Sequence, residues 1–283
     1  MGLTYEEILR TWREADRIPL FEHAWLWDHM VPLRGDVRGA ALEAWTLLAA
    51  LAAQTSRLRL GVIVTSNRLR LPTLLAKMAA TVDIVSGGRL VFGIGVGASL
   101  LRSLDPANLE IARREYDAYG VDLVPGPDAI AALGEALTIT RRMWSEDEPF
   151  DFEGRHYRLR GVICEPKPIQ RPGPPILVGA GGERLSLRVV AEHADIWNCP
   201  SRSPEDFRHK SAVLDDHCRA IGRDPGQIVR SMQFIVRGDP AQARDEVLSY
   251  VEAGATHLVL AGVGVPPARL AEEVAEPVLT QMT

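Results

Sequence analysis

The sequence predicts an α/β fold, specifically a TIM-type (β/α)8 barrel with insertions, from three observations. Seven short apolar segments alternate with helical segments, and their β-branched residues and Gly or polar boundaries are typical of strands buried on both faces. Residues 58–97 have the pattern strand, helix, strand, and a connection of helical length implies parallel strands. A helix opens the chain without a strand before it, so the first barrel strand is missing or atypical. An open doubly wound sheet is the alternative architecture for the same alternation.

Element boundaries follow from capping residues, Gly and Pro along the chain. The opening helix starts at Thr4, which forms a capping-box pattern with Glu7, and runs to about Asp16. The seven strands are predicted at residues 23–27, 58–65, 87–97, 175–178, 194–198, 228–236 and 256–260. Further helices are predicted at residues 42–53, 74–85, 128–144, 204–221, 241–252 and 267–279, with one more ending at His193.

We expect residues 1–283 to form a single domain with two insertions. The regular alternation lapses over residues 98–128, where only a helix near 111–119 is indicated. The second insertion, residues 146–174, contains an alternating segment at 150–159 that predicts a β-hairpin, followed by a proline-rich connector. Long excursions of this kind in a compact domain usually form lids or walls of binding sites.

Composition indicates a globular protein and argues against several classes of partner. The 283 residues are 46% hydrophobic, which is enough for a substantial core. The net charge of -5, with no block of like charges, argues against a nucleic-acid or polybasic membrane surface. No apolar run approaches the ~18 residues of a membrane span, and the N-terminus lacks the pattern of a secretion signal. We therefore expect a cytoplasmic protein that acts on a small molecule.

The cysteine and histidine spacings do not predict a metal site or a disulfide framework. The three cysteines, Cys164, Cys199 and Cys218, are widely spaced and form no CxxC pair. They fit reduced thiols. The seven histidines show no HxH or HExxH spacing, so no structural metal is expected.

Two glycine-rich turns follow predicted strands. Residues 93–97 lie within a strand end rather than in a turn that opens a helix, so a conventional NAD site is not expected. The turn from Gly179 to Gly182 precedes a helix, whose free N–H groups could bind a phosphate. A tight strand-to-helix turn without a ligand is the alternative interpretation.

The most suggestive polar pair is Asp28-His29, at the end of the strand at 23–27. A histidine at the carboxyl end of a barrel strand can exchange a proton near neutral pH, and an adjacent carboxylate can supply a hydrogen bond. A helix cap or a solvated loop would explain the same dipeptide.

Ordered motifs extend over most of the chain: Trp27-Asp-His29, Glu43-Ala-Trp45, residues 48–61, Arg70-Leu-Pro72, Leu75-Ala-Lys77, residues 86–97, residues 115–120, residues 174–179 and residues 194–198. In this order they closely resemble the bacterial luciferase-like flavin and deazaflavin oxidoreductases. The Asp-His pair is similar to that of the branch that uses coenzyme F420. The resemblance therefore implies a deazaflavin across the carboxyl mouth of the barrel.

The resemblance also assigns roles to individual residues. It implies that His29 stands near the reactive ring carbon and that Asp28 contacts the cofactor. It places a strand bulge with a cis peptide bond at Val62-Ile63, behind the ring. The remaining implied cofactor contacts are Val96, Gly97, Gly179, Gly181 and Gly182. Independently of the resemblance, Trp45, Arg68 and Tyr116 are candidates for substrate contact, with a place in the core or in a pocket wall as the alternative for Trp45. Arg34, Arg68 and Arg70 could bind an anionic group, with solvation at the surface as the alternative.

The implied chemistry is hydride transfer between coenzyme F420 and a small substrate with a C=N, C=C or C=O group, with His29 as proton donor or orienting group. An FMN-dependent monooxygenase and a non-catalytic flavin-binding barrel are the alternatives. The resemblance further implies a homodimer that uses the helices flanking the second and third strands.

One position departs from the sugar-phosphate dehydrogenases of this branch. They carry a Glu directly after the glycine motif, where this chain has Ala98. Oxidation of glucose 6-phosphate is therefore not expected, and the substrate should be less polar.

Overall fold

The computed structural model describes residues 2–33, 36–100 and 106–282. Arg34 and residues 101–105 of the first insertion lie outside the described residues. The described residues form ten strands: β1 (His23–Leu26), β2 (Arg59–Val62), β3 (Thr65–Ser66), β4 (Leu90–Gly95), β5 (Phe150–Glu153), β6 (Arg158–Val162), β7 (Ile176–Gly179), β8 (Ile196–Asn198), β9 (Val229–Arg237) and β10 (His257–Val263).

A parallel sheet in the order β1-β2-β4-β7-β8-β9-β10 forms the centre of the protein, and the short β3 pairs with β4. These seven strands are those predicted from the sequence. The predicted continuous strand at 58–65 is instead divided into β2 and β3, and the Ile63–Val64 peptide bond between them is cis. β5 and β6 form the predicted antiparallel hairpin.

Helices cover the outer face of the sheet. They are α1 (Tyr5–Asp16), α2 (Ala44–Ala52), α3 (Pro72–Val85), α4 (Pro106–Ala118), α5 (Gly126–Ser145), α6 (Ser186–His193), α7 (Pro204–Ala220), α8 (Pro240–Glu252), α9 (Pro267–Leu270) and α10 (Glu276–Met282). The predicted closing helix is thus two helices, joined by a π-helical turn at Ala271–Ala275. Among the described residues, no helix is long and apolar enough to cross a membrane.

Local hydrogen bonds explain where α1 begins and how it is fixed. The Thr4 hydroxyl accepts a hydrogen bond from the Glu7 N–H, and the Glu7 carboxylate accepts one from the Thr4 N–H, so the predicted capping box is present. At the other end, the Asp16 carboxylate accepts hydrogen bonds of 2.9–3.0 Å from the N–H groups of Ser56, Arg57 and Leu58. These bonds join the end of α1 to the start of β2.

Two apolar layers hold the sheet. The main core lies between sheet and helices, and all six residues of β4 are buried, as expected for a central parallel strand. A smaller cluster of Ile63, Val91, Leu177 and Val259 fills the space inside the curved sheet. The Trp25 ring also packs there, so close to Gly61 that a Cβ at that position would lie 2.5 Å from the ring.

The sheet curls into a barrel that remains open along one line. β1 and β10 are its two edges, and no hydrogen bond between these strands occurs in the described part of the chain. Side chains bridge the gap: the rings of His23 and His257 stack with centroids 4.2 Å apart. We call this gap the seam. It is the position of the strand that the sequence pattern lacks, between the last strand and the first.

Candidate active site

His29 lies just beyond the carboxyl end of β1 and is held by Glu115 from α4. Its Nδ1 is 3.1 Å from the Glu115 carboxylate, whose other oxygen accepts a 2.6 Å hydrogen bond from the Met30 N–H. A carboxylate only accepts, so Nδ1 carries the proton and Nε2 has no hydrogen-bond partner among the described residues. The Glu115 side chain is 4% exposed and the His29 side chain 32%.

The charge balance of this pair favours an ionised carboxylate. Burial alone would raise the pKa of Glu115, but hydrogen bonding and charge attraction from His29, with backbone N–H groups at Met30 and Val31, hold that pKa below its ordinary value. An ionised Glu115 fixes both the ring orientation and the tautomer of His29.

Asp28 occupies a different environment from that of its neighbour. Its carboxylate accepts two hydrogen bonds of 2.8 and 2.9 Å from the Arg70 guanidinium and one of 2.9 Å from the Ser66 N–H. Arg70 also contacts the carboxylate of Glu43, the N-cap of α2. The Asp28 side chain is 1% exposed. The hydrogen bonds of Asp28 and Arg70 connect the segment after β1 with β3 and with the start of α2.

This network bears on two expectations. Protein partners occupy the Asp28 carboxylate on both oxygens, so little of that carboxylate is left for a cofactor. The 7% exposed guanidinium of Arg70 is shared between two carboxylates, which leaves it little room for a further anion. Cofactor contact by Asp28 and anion binding by Arg70 both stay predictions.

Val64 stands over two glycines at the centre of the mouth. A Cβ on Gly95 would lie 2.8 Å from a Val64 methyl group, and one on Gly179 would lie 2.9 Å from another. The cis peptide bond is therefore one residue further along than the expected Val62-Ile63, and Val64 is the side chain presented there. Val62 instead packs in the main core between sheet and helices.

The turn after β4 is pinned from α4. The Tyr116 hydroxyl lies 2.6 Å from the Ser66 hydroxyl and accepts a 2.8 Å hydrogen bond from the Ala98 N–H. Gly97 fits beneath it with φ of +73°, and a Cβ there would lie 2.5 Å from the Tyr116 oxygen. Gly97 and the half-buried Val96 therefore lie directly after β4, and their contact with a cofactor stays a prediction.

Two of the predicted substrate contacts are core residues. Tyr116 is 2% exposed and its hydroxyl is already bonded within the protein. Trp45 is 1% exposed, donates to the Thr65 hydroxyl at 3.1 Å and packs against Phe92. The burial of Trp45 agrees with its interpretation as a core residue, and substrate contact by either side chain stays a prediction.

The third predicted contact, Arg68, lies in the loop after β3. Its guanidinium donates only a long 3.4 Å hydrogen bond to the Asp122 carbonyl, and its Nε has no partner among the described residues. Arg68 therefore remains a candidate for binding a ligand group.

The predicted phosphate turn at Gly181-Gly182 differs in one respect. Helix α6 begins only at Ser186, after a turn at residues 183–185, so the glycines do not lead directly into it. Each glycine is closely covered: a Cβ on Gly181 would lie 2.8 Å from Pro200, and one on Gly182 would lie 3.0 Å from the Ser186 hydroxyl. Pro200 and Ser186 therefore leave little room for a side chain at position 181 or 182.

The second insertion reaches the mouth as well. The Glu135 carboxylate on α5 accepts hydrogen bonds of 2.8, 3.0 and 3.0 Å from the N–H groups of Arg155, His156 and Tyr157, which form the hairpin tip. The Tyr157 hydroxyl accepts a 3.3 Å hydrogen bond from Nδ2 of Asn67. The hairpin of β5 and β6 is thus a wall of the mouth.

Residues missed by sequence reasoning are Asn67, Tyr157 and the role of Glu115 as the partner of His29. In the sequence, Glu115 stands out only as part of the motif at residues 115–120. No local pattern predicts that it contacts His29, which is 86 residues away. Asn67 is 2% exposed yet its Oδ1 has no hydrogen-bond partner among the described residues, and the same holds for the Ser99 hydroxyl. Such atoms are expected to meet a ligand or water.

The cysteines and possible metal ligands do not contribute to the site. All three cysteines are free and buried, and burial raises the pKa of Cys199 to about 12. Within residues 2–33, 36–100 and 106–282, no three His, Cys, Asp or Glu side chains are placed to hold a metal ion.

Two curated relatives have similar sequences. An F420-dependent glucose-6-phosphate dehydrogenase of Kineococcus radiotolerans is 31% identical over 260 residues, which cover 89% of this chain and 72% of that protein. A phthiodiolone/phenolphthiodiolone dimycocerosates ketoreductase of Mycobacterium sp. (strain JLS) is 31% identical over 215 residues, which cover 74% of this chain. The matched region is 52% of the ketoreductase, so the chain spans about half of its length.

Solved structures share the fold. An F420-dependent secondary alcohol dehydrogenase in complex with an F420-acetone adduct superposes with a TM-score of 0.82 at 17% identity. The coenzyme F420-dependent tetrahydromethanopterin reductase from Methanopyrus kandleri gives a TM-score of 0.77 at 18% identity. Each match covers 98% of this chain and 96% of the other.

The family assignment comes from the sequence profile of the luciferase-like monooxygenase family, which matches residues 2–280. The structural superpositions agree with it in fold, and the two 31% identical relatives agree with it in sequence. The chain belongs to the luciferase-like monooxygenase family.

Proposed function

We propose that this chain is a coenzyme F420-dependent oxidoreductase that transfers a hydride between the deazaflavin and a carbonyl–alcohol pair. The observation that carries the proposal is the surface made by Val64 over Gly95 and Gly179. Any residue other than glycine at position 95 or 179 would place its Cβ against a Val64 methyl group. The centre of the mouth therefore presents the Val64 side chain on a flat base. Such a surface suits the face of a planar ring system. The names of the two 31% identical relatives, a dehydrogenase and a ketoreductase, support the reaction class.

The polar groups around this surface fit a cofactor with a polar ring edge and an anionic tail. The Asn67 Oδ1 and Ser99 hydroxyl lack partners within the described residues and can bond to polar atoms of a ring or side chain. The free Nε of Arg68 is suited to an anionic group. The turn at Gly181-Gly182 lies after β7, beside Gly179, where backbone N–H groups can receive a phosphate.

His29 is the general acid–base that exchanges the proton with the substrate. Coenzyme F420, when bound, supplies or accepts the hydride. Glu115 keeps the proton of His29 on Nδ1, which leaves Nε2 free to exchange a proton with the substrate oxygen. The ionised, buried Glu115 stabilises the imidazolium when His29 takes a proton in alcohol oxidation, and the same pair returns it in ketone reduction.

The substrate should be an alcohol or ketone without a phosphate group. Ala98 stands where the sugar-phosphate dehydrogenases carry a Glu, and its N–H is occupied by the Tyr116 hydroxyl. One wall of the mouth is the Tyr157 side chain, whose hydroxyl accepts a hydrogen bond from Asn67. This aromatic wall suits an apolar substituent on the carbinol carbon.

The test is a binding titration followed by turnover. Oxidised coenzyme F420 and FMN are titrated separately into the purified chain, and ligand fluorescence is followed. We expect saturable binding of coenzyme F420 that is at least about tenfold tighter than that of FMN, a difference of ~1.4 kcal/mol. A panel of secondary alcohols should then reduce bound coenzyme F420, while glucose 6-phosphate should not. Selective FMN binding with oxygen consumption would establish the monooxygenase instead, and binding of neither would indicate a non-catalytic barrel.

A further inference from the structure

The tip of the hairpin, residues 154–157, is attached to the rest of the protein from two directions. Toward α5, the Glu135 carboxylate accepts hydrogen bonds from three N–H groups of the tip. Toward the carboxyl ends of the sheet strands, the Tyr157 hydroxyl accepts a hydrogen bond from Nδ2 of Asn67. In the described part of the chain, no other hydrogen bond joins the tip to those strand ends.

The second attachment lies beside the centre of the mouth. Asn67 directly follows β3, and its N–H donates to the Gly95 carbonyl at 3.0 Å. Gly95 is one of the two glycines beneath Val64. Asn67 is therefore a neighbour of the surface that we propose for the ring of the cofactor.

The Asn67 amide uses one of its two ends within the protein. Nδ2 donates to Tyr157 at 3.3 Å, which is long for a hydrogen bond. Asn67 is 2% exposed, and its Oδ1 has no partner among the described residues. A buried acceptor without a partner is costly, so Oδ1 should accept a hydrogen bond from a ligand or a water molecule. Because both ends belong to one planar group, a bond at Oδ1 polarises the N–H groups and strengthens the bond at Nδ2.

We propose that Asn67 is a positioning residue that couples cofactor binding to the position of the hairpin tip. A donor group of the cofactor, such as a ring N–H or a hydroxyl, bonds to Oδ1, and Nδ2 then holds Tyr157 more tightly as a wall of the substrate space. The cofactor thereby completes the wall before the substrate arrives. This inference rests on the proposed function for the identity of the cofactor.

Tyr157 is suited to transmit the effect. Burial raises the pKa of its phenol above the ordinary value, so the hydroxyl is neutral at physiological pH and accepts from Asn67. The N–H of Tyr157 is one of the three that bond to Glu135, so the ring and the main chain of the tip are held together. A stronger bond to Asn67 should therefore slow the opening of the tip. Since coupling is reciprocal, loss of the Tyr157 hydroxyl should also weaken cofactor binding.

The test is hydrogen exchange followed by mass spectrometry on the whole chain. Exchange is measured without cofactor, with saturating coenzyme F420 and, in a parallel arm, with saturating FMN. We expect bound coenzyme F420 to slow exchange in residues 150–160 about fivefold, which is the size of effect expected when one neutral hydrogen bond is strengthened. Exchange in residues 95–100 reports separately that the cofactor occupies the mouth.

Two variants remove the link at either end. Tyr157→Phe keeps the ring, and we expect it to bind the cofactor about three- to fivefold more weakly and to show the same tip exchange with and without cofactor. Asn67→Leu should likewise lose the slowing at the tip, and thermal unfolding checks that each variant is folded. Tyr119→Phe is the matched control, since the Tyr119 hydroxyl makes a similarly long hydrogen bond of 3.4 Å to the Met30 carbonyl. It should behave as the wild-type chain does.

The outcomes separate the coupling from the proposed function. Cofactor binding to the wild-type chain without slower exchange at the tip, or equal slowing in Tyr157→Phe, would overturn the coupling alone. Selective binding of FMN with slower exchange at the tip would support the coupling and overturn the proposed function. Binding of neither cofactor would overturn both.

Discussion

Asp28 and His29 are adjacent in sequence at the end of one strand, yet their environments are opposite. The Asp28 side chain is 1% exposed and is held by three hydrogen bonds, two from Arg70 and one from the Ser66 N–H. The His29 side chain is 32% exposed, is held on one nitrogen by Glu115 and leaves the other nitrogen free. Successive residues at a strand end point to different sides, so one dipeptide supplies both an anchor for the scaffold and a group for chemistry.

The largest expected effect is on stability, from breaking the anchor. Arg70→Met should lower the free energy of unfolding by roughly 3–5 kcal/mol, because it leaves the buried Asp28 carboxylate without its cation. Urea unfolding followed by circular dichroism measures this. Arg68→Met is the matched control, since Arg68 lies in the same loop and its guanidinium makes one long hydrogen bond within the described part of the chain. Equal stability of the two variants would show that Asp28 is not an anchor.

The next effect is on catalysis, from removing the reactive neighbour. His29→Asn should lower kcat for secondary alcohol oxidation by about 10²-fold or more while changing the unfolding midpoint little, because a general acid–base is lost from a partly exposed position. His209→Asn, at a surface site, is the control. Unchanged turnover with His29→Asn would remove this residue from the mechanism.

A smaller effect should follow when the partner of His29 is neutralised. Glu115→Gln should lower kcat by about tenfold with less change in KM, since a neutral amide cannot stabilise the imidazolium as well as a carboxylate. In the His29→Asn background the same change should have almost no effect, because interacting residues are not additive. Equal losses in both backgrounds would mean that Glu115 acts only on folding; Asp117→Asn on the same helix is the control.

The smallest effect should be an acid-dependent loss of stability. Burial opposes ionisation of Glu43 and Glu115, but hydrogen bonds outweigh it and lower the pKa of each below its ordinary value. Their stabilisation is therefore complete above the pKa of the unfolded chain and is lost as pH falls through the folded-state pKa. Urea midpoints from pH 7 to 3 should show Glu115 contributing on the order of 1 kcal/mol. The Glu115→Gln variant should show a shallower decline than the wild-type chain.

The fold was largely predictable because each strand is a short apolar run with clear ends. The capping box at Thr4 and the hairpin at 150–159 are local patterns, and both are present. The sequence also indicated a missing or atypical first strand, because the opening helix has no strand before it. The structure shows the seam at that place.

The site was less predictable because its pairings are distant and depend on side-chain direction. The bond from Arg70 to Asp28 spans 42 residues and that from His29 to Glu115 spans 86. The cis bond was misplaced by one residue, which exchanges the core residue Val62 for Val64 at the mouth. The sequence does not show which way an aromatic ring is turned, so the burial of Trp45 and Tyr116 could be seen only in the structure.

The hairpin of β5 and β6 is a wall of the mouth that can be changed separately from the barrel sheet. Its strands bond to each other and not to the barrel sheet, and one carboxylate, that of Glu135, receives the three N–H groups of its tip. Those contacts involve main-chain donors, so a hairpin of different side chains can be seated in the same way. Under the proposed function, exchange of residues 155–160 should therefore change which substrates are accepted while leaving the strand end that carries His29 in place.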